Sequence, residues 1–320
     1  MKKIVFIFID GLGIGNRSEN NPFFKYNSGI FSFFDDDISG HGIIKIPEGF
    51  LIPLDAQLGM EGAPQSATGQ STLFTGINTV DVLKKHLWGF PNKALRKILM
   101  QDNLLLKVKN MGYRSVFLNC YPVYADELSR GLLELNEDGD YSVRDKKSSL
   151  STLLKMISVT TIMALSIRQR FAGIQELIER KCIYQDFTNR LLKKRHPEVP
   201  LFSAKEAAYI IIARIKEYDF ILYEYFQTDK AGHSRDNDRA KQIAEDLDLF
   251  VKTILENLDL DQTVLCICSD HGNFEDLSIR THTENKIPFY IFTRRELNKS
   301  LERLKSLQDV YPFIVDMADY

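Results

Sequence analysis

Three short, mostly apolar runs in this chain each break off next to a carboxylate. Residues 4–9 (IVFIFI) stop at Asp10, residues 220–226 (FILYEYF) are followed by Asp229, and residues 264–268 (VLCIC) lead through Ser269 to Asp270-His271. Runs of five to seven residues, rich in β-branched and aromatic types, read as strands buried on both faces. Strands of that kind sit in a sheet covered by helices. The carboxyl ends of such strands are where open α/β sheets place their ligands. The three carboxylates are therefore expected to converge, although they lie up to 260 positions apart.

The intervening segments fit that layering. Residues 11–63 are rich in turn formers with no clear long helix. Residues 66–75 read as a short helix closed by Gly76. A helix is expected over 97–111, after which Gly112 leads into a strand at 115–119. After Pro200, residues 205–217 read as an amphipathic helix. A further helix is expected over 243–258, a last strand at 288–292 and a charged helix over 296–307. Alternating strands and helices imply an α/β fold, a central mostly parallel sheet with helices on both faces. The stretch from about 125 to 200 departs from this. It opens with an acidic then basic excursion at 134–147 (ELNEDGDYSVRDKK) and continues with helical periodicity over 149–180. It is expected to form a small cap on one catalytic domain spanning 1–320.

Composition removes other classes. A net charge of −2, with 44% hydrophobic and 26% charged residues, gives no basic surface for nucleic acid or anionic membranes. The four cysteines form no CxxC pair and suggest no disulfide framework, which points to a reducing compartment. The N-terminal Met1-Lys2-Lys3 precedes an apolar run that ends at Asp10, short of the roughly 7–15 residues of a signal peptide core. The uncharged stretch at 156–167 is shorter than the roughly 20 residues of a membrane span. A cytoplasmic location with no membrane partner is expected.

The candidate site gathers Asp10, Asp229, His233, Asp270, His271 and His282, which takes in half of the six histidines. Asp229 and His233 are four apart, so on a helical turn they share a face. Carboxylate oxygen with imidazole nitrogen suits Zn²⁺ or Mn²⁺ better than Ca²⁺. Ser66 precedes a short helix in Ser-Ala-Thr-Gly, where exposed N–H groups bind anions. Beside a divalent cation such a hydroxyl becomes a nucleophile. Thr68 and Ser71 are nearby rivals.

Five motifs, FIDGLG at 8–13, SATGQSTLFTG at 66–76, DKAGH at 229–233, SDHGN at 269–273 and HTENKIP at 282–288, resemble those of the alkaline phosphatase superfamily. The resemblance is to the branch of cofactor-independent phosphoglycerate mutase and phosphopentomutase. The resemblance implies an alkaline-phosphatase-like sandwich and two divalent metals, Mn²⁺ or Zn²⁺. It implies Ser66 as nucleophile, Asp10, Ser66, Asp270 and His271 around one metal, and Asp229, His233 and His282 around the other. Gly69-Gln70 departs from the Gly-His of the mutases, and the middle of the chain is smaller than their caps. The resemblance thus implies metal-dependent phosphoryl transfer on a small phosphorylated metabolite, by a phosphomutase or phosphohydrolase. The rival reading is a metal-binding protein that has lost turnover and senses a phosphorylated ligand. Lys84, Lys85, Arg168, Arg170, Lys230 and Arg235 are the cations weighed for neutralising the phosphate.

Overall fold

The structure, a computed structural model, describes residues 3–26, 29–123, 125, 133–135, 141–143, 156–297 and 300–319. Its centre is a seven-stranded sheet in the order β2-β3-β9-β8-β1-β7-β4. The strands are β1 (Lys3–Ile9), β2 (Ile44–Ile46), β3 (Gly49–Leu54), β4 (Ser115–Phe117), β7 (Phe220–Tyr225), β8 (Thr263–Cys268) and β9 (Ile287–Phe292). β1 lies between β8 and β7 and is parallel to both, and β4 is parallel to β7. β9 runs against β8, β3 against β9, and β2 against β3. Five strands therefore point one way and two the other. β5 (Leu133–Leu135) and β6 (Tyr141–Val143) pair separately as an antiparallel ribbon.

Side-chain alternation along these strands divides the core in two. Val5, Ile7, Ile9, Ile221, Tyr223, Leu265 and Ile267 face one layer. It is covered by the helices Ala204–Arg214 and Asn237–Asn257, which bring Ala208, Ile211, Leu247, Phe250 and Ile254. Ile4, Phe6, Phe8, Phe220, Leu222, Val264 and Cys266 face the other. That layer is covered by Ser66–Thr75, Lys93–Gln101, Leu104–Asn110, Val159–Ser166 and Val310–Asp319. The architecture is the expected α/β one, with helices on both faces. All four cysteines are free and buried. Among the described residues, no helix is long and apolar enough to cross a membrane.

Several boundaries differ from the sequence reading. The helix expected over 97–111 is two helices, because the Asn103 side chain accepts from the Leu106 N–H and starts a new one. Among the described residues of 296–307 the expected charged helix does not appear; they hold a 3₁₀ turn at Leu301–Arg303 and the start of another at Leu307–Asp309. The Asp309 carboxylate takes the N–H groups of Lys305 and Ser306, stopping any helix there, and the real helix starts at Val310. The hairpin of β2 and β3 within 11–63 was not foreseen. It turns at Pro47-Glu48, with Glu48 at φ 62°.

From residue 157 on, the stretch expected as a cap contributes to both core layers. Ile157, Val159, Ile162 and Met163 lie in one layer, and Leu177, Ile183, Phe187 and Leu192 in the other. Single parallel bridges, Cys120 to Ala172 and Asn119 to Ile183, attach it beyond β4. Residues 126–132, 136–140 and 144–155, where the rest of the expected cap falls, lie outside the described residues.

Candidate metal centre

The polar residues singled out in the sequence meet at one end of the sheet. Asp10 follows β1, Asp270 and His271 follow β8, and Asp229 and His233 lie on the helix Gln227–Ser234 that follows β7. His282 lies on the loop that leads into β9. Two groups of ligand atoms result, Asp10 with Asp270 and His271, and Asp229 with His233 and His282. Within each group the atoms lie no more than 4.8 Å apart.

In the first group, His271 Nε2 is 3.1 Å from Asp10 Oδ1 and 3.5 Å from Asp270 Oδ2. In the second, Asp229 Oδ1 is 3.3 Å from His233 Nε2 and 3.6 Å from His282 Nε2, and those two nitrogens are 3.3 Å apart. The groups adjoin, for the rings of His271 and His282 stack with centroids 3.7 Å apart.

The donor set fits divalent metal. Each imidazole has Nδ1 against a backbone carbonyl: Pro64 for His282 at 2.8 Å, Arg280 for His233 at 2.7 Å and Gly272 for His271 at 3.3 Å. Those carbonyls hold the proton on Nδ1 and leave the Nε2 lone pairs aimed inward, the arrangement of metal-ligating histidines. Asp10 Oδ1 is buried with no hydrogen-bond partner, although His271 Nε2 is beside it. A buried carboxylate oxygen left unsatisfied beside an imidazole nitrogen is an arrangement that a cation would satisfy.

The charges say the same. Burial, then the neighbouring charges of Asp270 and Asp229, push the Asp10 carboxyl up to about 8. Burial likewise raises Asp270. Burial opposes charge on His271, yet Asp270 and Asp10 raise its imidazole to about 10. Burial and the adjacent His271 lower His282 to about 4. Without an ion the cluster must share protons among converging carboxylates, which a divalent cation replaces.

Ser66 is the first residue of its helix, with Gln65 as the cap, one position from the N-cap placement considered from sequence. Its Oγ is 3.0 Å from His271 Nε2, at the junction of the two groups. The rival hydroxyls are occupied. Thr68 donates to Gln65 O and accepts from Leu87 N–H, and Ser71 donates to Ala67 O.

The motif glycines have a steric reason. Gly11 has φ 71°, and a Cβ there would lie 2.8 Å from Asp229 Cβ. A Cβ at Gly232 would lie 2.2 Å from Asn273 Oδ1.

Residues not picked out as site members support the ligands. Gln70 donates to Asp270 Oδ2 at 3.0 Å and Asp10 Oδ2 at 3.3 Å, so its amide faces the ligands. Asn273 donates to Asp229 Oδ1 at 2.7 Å. Glu275 accepts from the N–H groups of Gly13 and Asn273 and from Asn285, tying three loops together. Glu224, inside β7, is buried on the same sheet face as Phe8. It accepts from the hydroxyls of Tyr121 at 2.9 Å and Thr160 at 2.7 Å. Burial, with Asp10 adding to it, pushes its carboxyl up to about 7. The signal for Glu224 was a lone acid in a buried strand; Gln70 and Asn273 carried none beyond their place in the motifs.

Three of the six cations weighed from sequence are engaged elsewhere. Lys84 pairs with Asp81, and Arg235 donates to Leu277 O at 2.8 Å. Arg170 pairs with Glu176 at 3.2 Å, beside the outer edge of β4, and Arg168 and Lys85 are exposed. Lys230 stands 4.3 Å over the Phe226 ring.

Comparison with known proteins places the chain in a family. Stretches of the chain resemble 2,3-bisphosphoglycerate-independent phosphoglycerate mutases. The one from Moorella thermoacetica is 29% identical over 128 residues, 38% of this chain and 25% of the relative. The one from Desulforudis audaxviator is 31% identical over 133 residues, 38% and 26% respectively. The chain thus spans about a quarter of the length of these relatives. Similar solved folds are the PH0037 protein of Pyrococcus horikoshii (TM-score 0.52, 13% identity, 99% of this chain and 97% of that one) and the alkaline phosphatase of the Antarctic bacterium TAB5 (TM-score 0.51, 10% identity, 99% and 98%). The family model of the metalloenzyme superfamily matches residues 2–319. With the fold and the paired ligand groups, this makes the chain a member of that superfamily, the one of alkaline phosphatase, and a distant relative of cofactor-independent phosphoglycerate mutase.

Proposed function

We propose that this protein is a two-metal phosphoryl-transfer enzyme that works through a phosphoserine on Ser66 and acts on a small phosphorylated metabolite. The observation that carries this reading is Ser66 Oγ at 3.0 Å from His271 Nε2, where the two ligand groups meet. In this reading Asp10, Ser66, Asp270 and His271 hold one divalent ion, and Asp229, His233 and His282 the other. Mn²⁺ or Zn²⁺ suits the mixed oxygen and nitrogen donors. Bound there, the ions supply Lewis-acid activation of the hydroxyl and of the phosphate oxygens.

The chain does the rest. The helix start fixes the Ser66 hydroxyl at the ligand junction. Gln70 and Asn273 keep the three carboxylates in place. Ser66 gives its proton to solvent water and Oγ attacks phosphorus in line. The bond from phosphorus to the ester oxygen breaks, and the departing alkoxide takes a proton from solvent water. Water, or a second hydroxyl of the substrate, then attacks the phosphoserine and restores Ser66. Water as acceptor makes the enzyme a phosphohydrolase; return to the same substrate makes it a phosphomutase. The exposed side of the second ligand group, where the His233 side chain is 39% accessible, favours water. The kinship with phosphoglycerate mutases supports the mutase as a second reading.

The test is acid-quench trapping with a ³²P-labelled phosphate ester in the Mn²⁺-loaded protein, followed by peptide mapping. Label on Ser66, absent from Ser66→Ala, is expected. Label on Thr68 or Ser71, or full turnover by Ser66→Ala, refutes the assignment. Free phosphate against isomerised ester in the products decides between hydrolase and mutase.

A further inference from the structure

The loop that follows the Ser66 helix turns large apolar side chains outward. Trp88, the only tryptophan of the chain, is 73% accessible, and Ile77, Val82 and Phe90 are exposed as well. Single exposed apolar residues are ordinary, but four within 14 residues mark a contact surface.

Hydrogen bonds gather this loop into one place. The Thr79 hydroxyl donates to Thr68 O at 2.9 Å, and Leu87 N–H donates to Thr68 Oγ1 at 3.2 Å. Both ends therefore return to one residue, in the first turn of the helix that starts at Ser66. Asn78 donates to Leu58 O at 3.0 Å, and His86 Nε2 lies 3.4 Å from Met60 O. Ile77 and Trp88 stand just outside these anchors. Gly89, at φ 77°, then carries the chain to Phe90, with nothing within 4 Å of where its Cβ would be. Arg96 Nη1 donates to Pro91 O at 3.0 Å, which ties the helix Lys93–Gln101 to the end of the loop.

The charge around these side chains is one-sided. Residues 77–101 hold Lys84, Lys85, Lys93, Arg96 and Lys97 against one carboxylate, Asp81, which pairs with Lys84. Lys85, Lys93 and Lys97 are exposed. The acids that flank the stretch are Asp102, which accepts from the Tyr311 hydroxyl at 2.6 Å, and Glu61, next to Met60. The net charge of −2 for the whole chain conceals this local excess. An indole among lysines matches the headgroup layer of an anionic bilayer, where tryptophan settles at the interface and basic side chains are attracted by the lipid charge. A second copy of the chain would instead bring like charges together.

We propose that the 77–90 loop and the adjoining basic helix dock this protein on an anionic membrane surface, on the flank where the loop is tied to the Ser66 helix. This reverses the expectation drawn from overall charge. The docking does not depend on the phosphoryl-transfer reading; together the two place that chemistry at a lipid surface.

The experiment mixes the full chain with phosphatidylcholine vesicles, with and without about one-third phosphatidylserine, and follows Trp88 emission, which no other tryptophan obscures. On the serine-containing vesicles the emission should move to the blue and be quenched by brominated acyl chains. Binding there should be at least tenfold tighter than to phosphatidylcholine alone, by a margin that shrinks at high salt. In vesicle sedimentation, Lys85→Glu with Lys93→Glu should remove the preference for anionic vesicles. Trp88→Ala with Phe90→Ala should weaken binding at least fivefold, and both double variants should keep the circular dichroism of the parent. No binding, equal binding to the two kinds of vesicle, binding with Trp88 emission unshifted, or binding unmoved by both double variants overturns the proposal. So does a blue shift on self-association without lipid, which would make the loop an interface between copies.

Discussion

The buried Glu224 makes stability depend on pH in a direction opposite to that of a paired surface carboxylate. Its side chain is 3% exposed, and its carboxyl is pushed from the ordinary 4.5 to about 7 by burial, with Asp10 contributing. Because the raised value belongs to the folded state, the folded protein binds the proton more tightly than the unfolded chain. Its favourable contribution is fully present below pH 4.5 and is lost as pH rises through about 7. At about 1.4 kcal/mol per tenfold change in proton affinity, the loss is about 3 kcal/mol. Glu224→Gln keeps an oxygen to accept from Tyr121 and Thr160 but cannot ionise. In urea titrations of chelator-treated protein, the variant should match the parent near pH 4.5 and exceed it by up to about 3 kcal/mol at pH 8. Stability curves that stay parallel from pH 4.5 to 8, or a parent that gains on the variant as pH rises, would refute the reasoning.

Other consequences can be checked as directly. Gly232→Ala puts a methyl 2.2 Å from Asn273 Oδ1, and Asn273 is held to Asp229 by its amide; metal content by mass spectrometry should fall by half or more while the folded circular dichroism is kept. Mn²⁺ at about 100 times its dissociation constant should add about 2.7 kcal/mol to the chelated protein for each ion bound, seen as a rise in melting temperature that Asp229→Asn reduces. Arg168→Ala with Arg170→Ala should leave turnover within about twofold, because Arg170 is turned to Glu176 beside the outer edge of β4; a loss of a hundredfold would return these arginines to the site.

What the sequence made legible was whatever rests on local pattern. Buried strands announce themselves by unbroken apolar runs, and β1, β7 and β8 stand where those runs are. Gly76, at φ 71°, closes its helix as a glycine after such a segment should. The six carboxylate and imidazole residues could be named because strand ends converge in an α/β sheet. The rest depends on long-range partners. Nothing local tells that Gln70 reaches the carboxylates of Asp10 and Asp270, 60 and 200 positions away. The direction of β9 is set by its pairing with β3 and β8, invisible in IPFYIF itself. The helical periodicity of 159–166 was real, yet periodicity cannot distinguish a helix of a cap from one laid on the main sheet, and Ile162 and Met163 are fully buried there.

The place of β1 in the sheet bears on how the chain matures. It is the earliest strand in the sequence, but its neighbours are Phe220–Tyr225 and Thr263–Cys268. As the polypeptide leaves the ribosome, Ile4 waits for Phe220 and then Val264 before either edge of its strand is satisfied. Such distant pairing is slow and leaves an apolar ribbon exposed in the meantime. Asp10 hangs from that ribbon, so the candidate metal site cannot assemble before β7 and β8 have been made and have closed on β1. On the two-metal reading, ion binding is therefore a late event, coupled to closure of the sheet rather than to any local segment.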